Sequence, residues 1–331
     1  MTKPNPSIMN TALPSRLRPS DVLSREEITQ FTARSDLAGW SALGFTWGVI
    51  ALCFAALIWF PHPLTYLLVV VVLGGRQLAL AILLHEGAHG TLFKTRWLNN
   101  HAADWLAGRW IWVDVARYRE HHLKHHAHTN QAGDPDLSLV KPFPASRSSV
   151  RRKFLRDLSG LSGLRRIVGQ VLMDMGVLRW TVAADIVKLP RDGRRWHDYA
   201  AEGLRRMSGF IVLHALLATT LALSGHLWVY SAWWVAYLTT FGVFMRLRSM
   251  AEHACTERSG NMLRNTRSTR AGFLARMTVA PIRVNFHIEH HFMASVPYFK
   301  LPALHQVLRE RGVVPPSPSY WDVLKMVSSP R

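Results

Sequence analysis

Cysteine is nearly missing. The chain has two in 331 residues, Cys53 inside an apolar run and Cys255 just past another. That excludes a disulfide framework, a thiolate-held zinc and an iron–sulfur cluster, and it fits a reducing compartment. Acidic residues are also few, 21 against 40 Lys and Arg, for a formal net charge of +19. There is no Gly-x-Gly-x-x-Gly dinucleotide loop, no flavin, nicotinamide or haem signature, and no solenoid-type repeat. The first 35 residues are rich in Pro, Ser, Thr and Arg. They lack the apolar core of a signal peptide, which predicts a cytosolic, partly disordered lead.

Long apolar runs are abundant. Hydrophobic residues make up 49% of the chain, with 13 Trp. Residues 40–60 carry no charge, and residues 64–84 carry only Arg76. Residues 208–225 and 227–245 are uncharged apart from His214. Each run is near the roughly 20 residues that cross a bilayer core. Pro61-His62-Pro63 joins the first pair and His226 the second, so two transmembrane hairpins are expected. Lys and Arg number 5 before the first run, 21 between residues 85 and 207, and 13 after Met245, with none in the short turns. The positive-inside rule then puts both termini and the central loop in the cytosol, which in a bacterial cell means the inner membrane. The basicity is explained without nucleic acid. Arg76 is expected to face the bundle interior or a polar neighbour. Residues 141–180 mix Arg with Leu, Val and Ile at helical spacing and read as an amphipathic helix on the membrane surface.

Nine of the 17 histidines fall in four places: His85 and His89; His122, His125 and His126; His253; and His287, His290 and His291. On a helix, H-x-x-H-H aims three imidazoles at one point and H-x-x-x-H aims two. Taken as continuous helices, residues 64–89 and 227–253 run about 39 and 40 Å, bringing His85, His89 and His253 to a similar depth. The other eight histidines read as surface or core residues, with His121 and His128 adjoining the second group. Nine imidazoles exceed one ion's capacity, so two metals are expected, and the donor set alone leaves iron, copper, zinc and nickel open. "HEGAH" also fits the H-E-x-x-H of zinc proteases, with Glu86 as base, but such a site takes three protein ligands and an open position.

With "HEGAH", "HLKHH" and "HIEHH" as three boxes, "TNQAGDPD" after the second, "AEH" after the fourth run and "NFHIEHHFMASVPYFKLPALH" around the third, the chain resembles the membrane-bound fatty acid desaturase family over about residues 40–312. The resemblance implies an all-α membrane protein with four spans in two hairpins, a cytosolic helical cap carrying the boxes, and a tail at 313–331. It implies two non-haem iron ions held by His85, His89, His122, His125, His126, His253, His287, His290 and His291. Glu86 then accepts a hydrogen bond from an imidazole rather than acting as a protease base. Where some relatives have an Asn ligand before the fourth-run histidine, this chain has Ser249, so water, Asn285 or Glu252 is left to complete the set. Asp134 and Asp136 either orient imidazoles or form a turn with Pro135.

An unactivated C–H bond needs an oxidant that no side chain supplies. The expected reaction removes two hydrogens from a fatty acyl chain with O2. The acyl group rides on CoA, a carrier protein or a lipid, and electrons come from a separate ferredoxin-, rubredoxin- or cytochrome b5-like carrier. Trp105, Trp110, Trp112 and Tyr118 are candidates for the substrate tunnel's walls. The alternatives are a hydroxylase or ketolase acting on a carotenoid, sterol or alkane, an intramembrane zinc protease, and a metal carrier. The last wants more polar residues in the spans than Arg76 and His214.

Overall fold

The computed structural model describes residues 17–329. Among them the regular structure is helical: α1 (Pro19–Val22), α2 (Arg25–Thr32), α3 (Asp36–Trp59), α4 (Pro63–His89), α5 (Arg96–Trp105), α6 (Val115–His128), α7 (Leu137–Val140), α8 (Arg147–Leu158), α9 (Leu161–Asp174), α10 (Trp196–Leu223), α11 (Tyr230–Leu238), α12 (Thr240–His253), α13 (Phe273–Met277), α14 (His287–Phe292), α15 (Leu301–Glu310) and α16 (Tyr320–Val327). β-structure is limited to two isolated bridges.

Three helices, α3, α4 and α10, are long and apolar enough to cross a membrane. α3 and α4 are joined by a short turn at residues 60–62 and pack against each other. His62 starts α4 by accepting from the Leu64 amide, Pro63 sets the first turn, and Gly90 ends it in the left-handed conformation (φ 69°). α4 is the central post, contacting α3, α5, α6, α11 and α12. It stays continuous through Gly74 and Gly75, where neighbours come too close for side chains. A Cβ on Gly74 would lie 2.2 Å from Thr240 Oγ1, and one on Gly75 the same distance from the Met277 carbonyl oxygen. Arg76 is buried, as expected, and donates to the carbonyls of Arg276 and Met277 at 3.1 and 2.8 Å.

The fourth apolar run is not one helix, which corrects the single rod expected from Leu227 to His253. A short 3-10 turn covers Leu227–Val229, and the chain breaks at Thr239 (φ −115°, ψ −86°) between α11 and α12. Hydroxyls there compete for helix carbonyls: Thr239 Oγ1 donates to Val235 O at 2.5 Å and Thr240 Oγ1 to Val70 O at 2.7 Å. Gly163 of α9 packs on the same break, where a Cβ would lie 2.3 Å from the Leu238 carbonyl oxygen.

Other segments also differ from expectation. Residues 141–180 form two helices, with Gly160 (φ 80°) starting the second, rather than one. Leu155, Leu158, Leu161, Leu164 and Val168 on them are exposed. The second half of the lead packs on the body: Leu23 and Phe31, at the end of α1 and in α2, are buried with Leu301, Leu304 and Leu308 of α15. Residues 1–16 of the lead lie outside the described residues. The tail likewise joins the body, with Val323 and Val327 of α16 buried against Met250 and Ala251 of α12.

Candidate metal centre

The C-terminal ends of α4 and α12 bring His85, His89 and His253 together with α6 and α14. Asp114 caps α6 by accepting from the Ala116 and Arg117 amides, which starts a helix that carries His122, His125 and His126. α14 has only six residues, too few to hold itself. Two side chains from elsewhere secure it. Ser268 Oγ accepts from the Ile288 amide at 2.9 Å and donates to Glu289 at 2.6 Å, and His305 of α15 reaches the other Glu289 oxygen at 2.7 Å.

The nine histidines from the four places converge. His85, His89, His122 and His290 form one cluster, and His125, His253, His287 and His291 a second, with one ring nitrogen of each residue within 4.8 Å of the others in its cluster. His126 lies between them. Its Nε2 is 3.1 Å from His122 Nε2 and 3.0 Å from His290 Nε2, and its ring stacks on His291 at 4.1 Å. Further Nε2–Nε2 separations are 3.0 Å for His85–His290 and 2.8 Å for His253–His287.

These distances fit bound cations. Neighbouring imidazole nitrogens about 2.1 Å from one ion at right angles lie about 3.0 Å apart. Without a shared cation the pattern is frustrated: His290 Nε2 faces both His85 and His126, yet a ring nitrogen has one donor or one lone pair. The buried Nε2 atoms of His89 and His291 have no protein partner. Burial, with neighbouring histidine charges adding to it, pushes His122, His126, His287, His290 and His291 well below the ordinary histidine range. The rings are thus neutral at pH 7 and free to offer lone pairs. His125 is the exception. Burial opposes its charge, but the hydrogen bond to Asp134 and the charges of Asp136 and Asp134 outweigh it and raise the pKa.

The acidic and amide candidates separate. Asp134 lies 2.8 Å from His125 Nδ1, and Asp136 2.8 Å from His121 Nε2. The first leaves His125 Nε2 to face an ion, the carboxylate–histidine arrangement of metal sites. Asp134→Asn keeps the shape and an acceptor but removes the charge. Loss of about tenfold in metal affinity is expected, read as faster metal release to a chelator. Glu252 pairs with Arg248 at 2.7 Å and stays 3.6 Å from His287 Nδ1. The Asn285 amide donates to Thr269 O while its buried Oδ1 has no partner. Glu86 corrects its expected role. Its carboxylate accepts from Thr91 Oγ1 at 2.7 Å and the Tyr298 amide at 3.1 Å, not from an imidazole. One residue on from His85, it points about 100° away around α4.

Sequence reasoning missed several contacts: Tyr118 OH at 3.3 Å from His85 Nδ1, Thr129 Oγ1 at 3.2 Å from His291 Nδ1, and the Glu289–His305 pair. Glu289 between ligand-spaced histidines was the one available signal. A cavity of about 630 Å³ opens beside His122, His125, His253 and His287, lined by apolar residues such as Leu84, Ile111 and Phe241. Of the four aromatic wall candidates only Tyr118 lines it. Trp110 packs on Trp47 and Trp233, Trp112 stacks on Phe210, and Trp105 is exposed.

Apolar helices long enough for a bilayer, joined to paired buried imidazole clusters that could hold metal ions, are the marks of a histidine-box membrane protein. The fatty acid desaturase family model matches residues 61–323, and the chain belongs to that family. It is also similar to dihydrorhizobitoxine desaturase of Bradyrhizobium elkanii, at 25% identity over 262 residues, covering 77% of this chain and 70% of that protein.

Proposed function

We propose that this protein removes two hydrogens from adjacent carbons of a fatty acyl chain, using O2 and two electrons from a separate carrier. The balanced reaction converts –CH2–CH2–, O2, two electrons and two protons into –CH=CH– and two waters. The observation that carries this reading is the pair of histidine clusters beside a cavity with an apolar wall.

Two iron ions are the proposed metals. His85, His89, His122, His126 and His290 would hold one, and His125, His253, His287 and His291 the other. When bound, they supply the reduction of O2 that drives C–H cleavage. The protein's part is placement. Tyr118 and Thr129 aim the His85 and His291 rings from behind, and Asp134 does so for His125. Leu84, Ile111, Val113, Phe241 and Met245 line the cavity and keep water from a methylene chain. Their lack of polar groups suits an acyl substrate, while the relative's printed name, a desaturase, favours a double bond over a hydroxyl as product.

Both termini and the metal centre are placed on the cytosolic side, from the lysine and arginine distribution. The exposed leucines of α8 and α9 face lipid headgroups in this reading. The basic surface suits an acidic ferredoxin-, rubredoxin- or cytochrome b5-like donor, through steering that weakens with salt. The test is expression in a host with simple lipids, followed by mass spectrometry. A new species two hydrogens lighter is expected. A product that gains one oxygen would replace desaturation with hydroxylation.

A further inference from the structure

The cavity beside the histidines has a second end with different chemistry. Arg156, Asp157, Arg165, Arg166 and Arg246 line it there. α12 measures the separation: Gly242 and Arg246 precede His253 by 11 and 7 residues, or about 16 and 10 Å along the helix.

Positive charge at this end is poorly compensated. Asp157, 1% exposed, is fully used by Arg246, with contacts of 2.5 and 2.9 Å. Arg166 has no carboxylate. It donates to the Tyr237 carbonyl and lies over the Tyr237 and Phe241 rings at 4.7 and 4.9 Å, with Nε buried and unpartnered. A Cβ on Gly242 would be 3.6 Å from Arg166 Nη1 and 3.9 Å from Asp157 Cβ, which places the two groups together. The side chains of Arg156 and Arg165 make no hydrogen bond or ion pair among the described residues. Lys153 stands nearby. Its pKa is lowered, by burial first and then by the Arg246 and Arg156 charges. Asp157 thus stands among four arginines on the wall of a cavity that leads to the histidines, with Lys153 beside them.

We propose that Arg156, Arg165 and Arg166 form an anion subsite, which grips a carboxylate or phosphate at the head of the acyl substrate while its chain runs along α12 to the metal centre. The inference rests on the acyl-oxidation reading above. Guanidinium groups bind carboxylate and phosphate through charge-assisted, often bidentate hydrogen bonds, and a site walled by protein strengthens them. A head fixed at this end sets which carbon reaches the histidines. The double bond is then counted from the head, whatever the chain length.

The test measures binding of stearate, stearoyl lysophosphatidate and octadecanol to the metal-loaded protein in phosphatidylcholine nanodiscs. At least one anionic probe is expected to bind tenfold or more tightly than octadecanol, and which one identifies the head group. The Arg156→Ala/Arg165→Ala double variant replaces side chains with no partner to lose. It should abolish that preference and leave octadecanol binding unchanged. Equal binding of charged and neutral chains, or a preference untouched in the variant, overturns the subsite while leaving the acyl reading intact. Binding of none of the three overturns the acyl reading and the subsite with it. As a second readout, sixteen- and eighteen-carbon substrates should give double bonds at one position from the head. A constant position from the methyl end overturns the proposal.

Discussion

Purified His290→Ala protein is expected to fold, to carry about one metal ion where the parent carries two, and to form no detectable product. His290 Nε2 stands 3.0 Å from the Nε2 atoms of both His85 and His126, so its loss removes the donor that joins the first box to the second. Losing a hydrogen-bond partner behind a ligand costs about 10–100-fold in affinity or activity, and losing the ligand itself should cost more. The second cluster keeps His125, His253, His287 and His291. α14 stays anchored by Ser268 and by the Glu289–His305 pair, none of which the substitution touches. Metal analysis, helical circular dichroism and product mass spectrometry check the three parts. Full activity in the variant would sink the assignment of His290 as a ligand. Metal loss with unfolding would show instead that the clusters hold the fold.

Gly87→Val should lower both stability and metal content although Gly87 offers no ligand. A Cβ there would lie 2.3 Å from Ala103 Cβ and 3.0 Å from the Asn99 carbonyl oxygen. α5 cannot retreat easily, because Asn99 ties it to Phe93 by two hydrogen bonds of 3.0 and 2.8 Å. The overpacking should cost about 1–3 kcal/mol. The displaced turn of α4 also carries His85 and His89, and a misplacement of about 1 Å can cost about a hundredfold in rate. Thermal unfolding in detergent reads the first effect. Product formation at saturating metal reads the second, and Gly87→Ala should show both in milder form. A valine variant with the parent's unfolding midpoint would mean that α5 does not pack against the first box as described.

The two effects differ in how visible they were. The histidines announce themselves because ligand spacing is local: i, i+3 and i+4 place imidazoles on one face of any helix. The glycine looks like an ordinary gap in "HEGAH". Its need for a missing Cβ arises only when Ala103 arrives from α5. The same holds for Glu289, whose partners Ser268 and His305 come from separate segments. Glu86 shows the converse error. The motif suggests a partner for an imidazole, but helix geometry turns it toward Thr91 and Tyr298.

Chain order and residue type alone were enough for the long apolar helices, the interior position of Arg76 and the ligand-spaced histidines. Each of these follows from periodicity, hydropathy or charge within a single segment. The break at Thr239 belongs to the tertiary structure, because uniform apolarity from Leu227 to Met245 carries no sign of it. Hydroxyls bonding back to carbonyls and the close approach of Gly74 and Gly163 decide it. The docking of α2 on α15, the division of the histidines into two groups and the arginine end of the cavity are likewise products of packing. They depend on distances between residues far apart in the chain, and no local pattern encodes a distance of that kind.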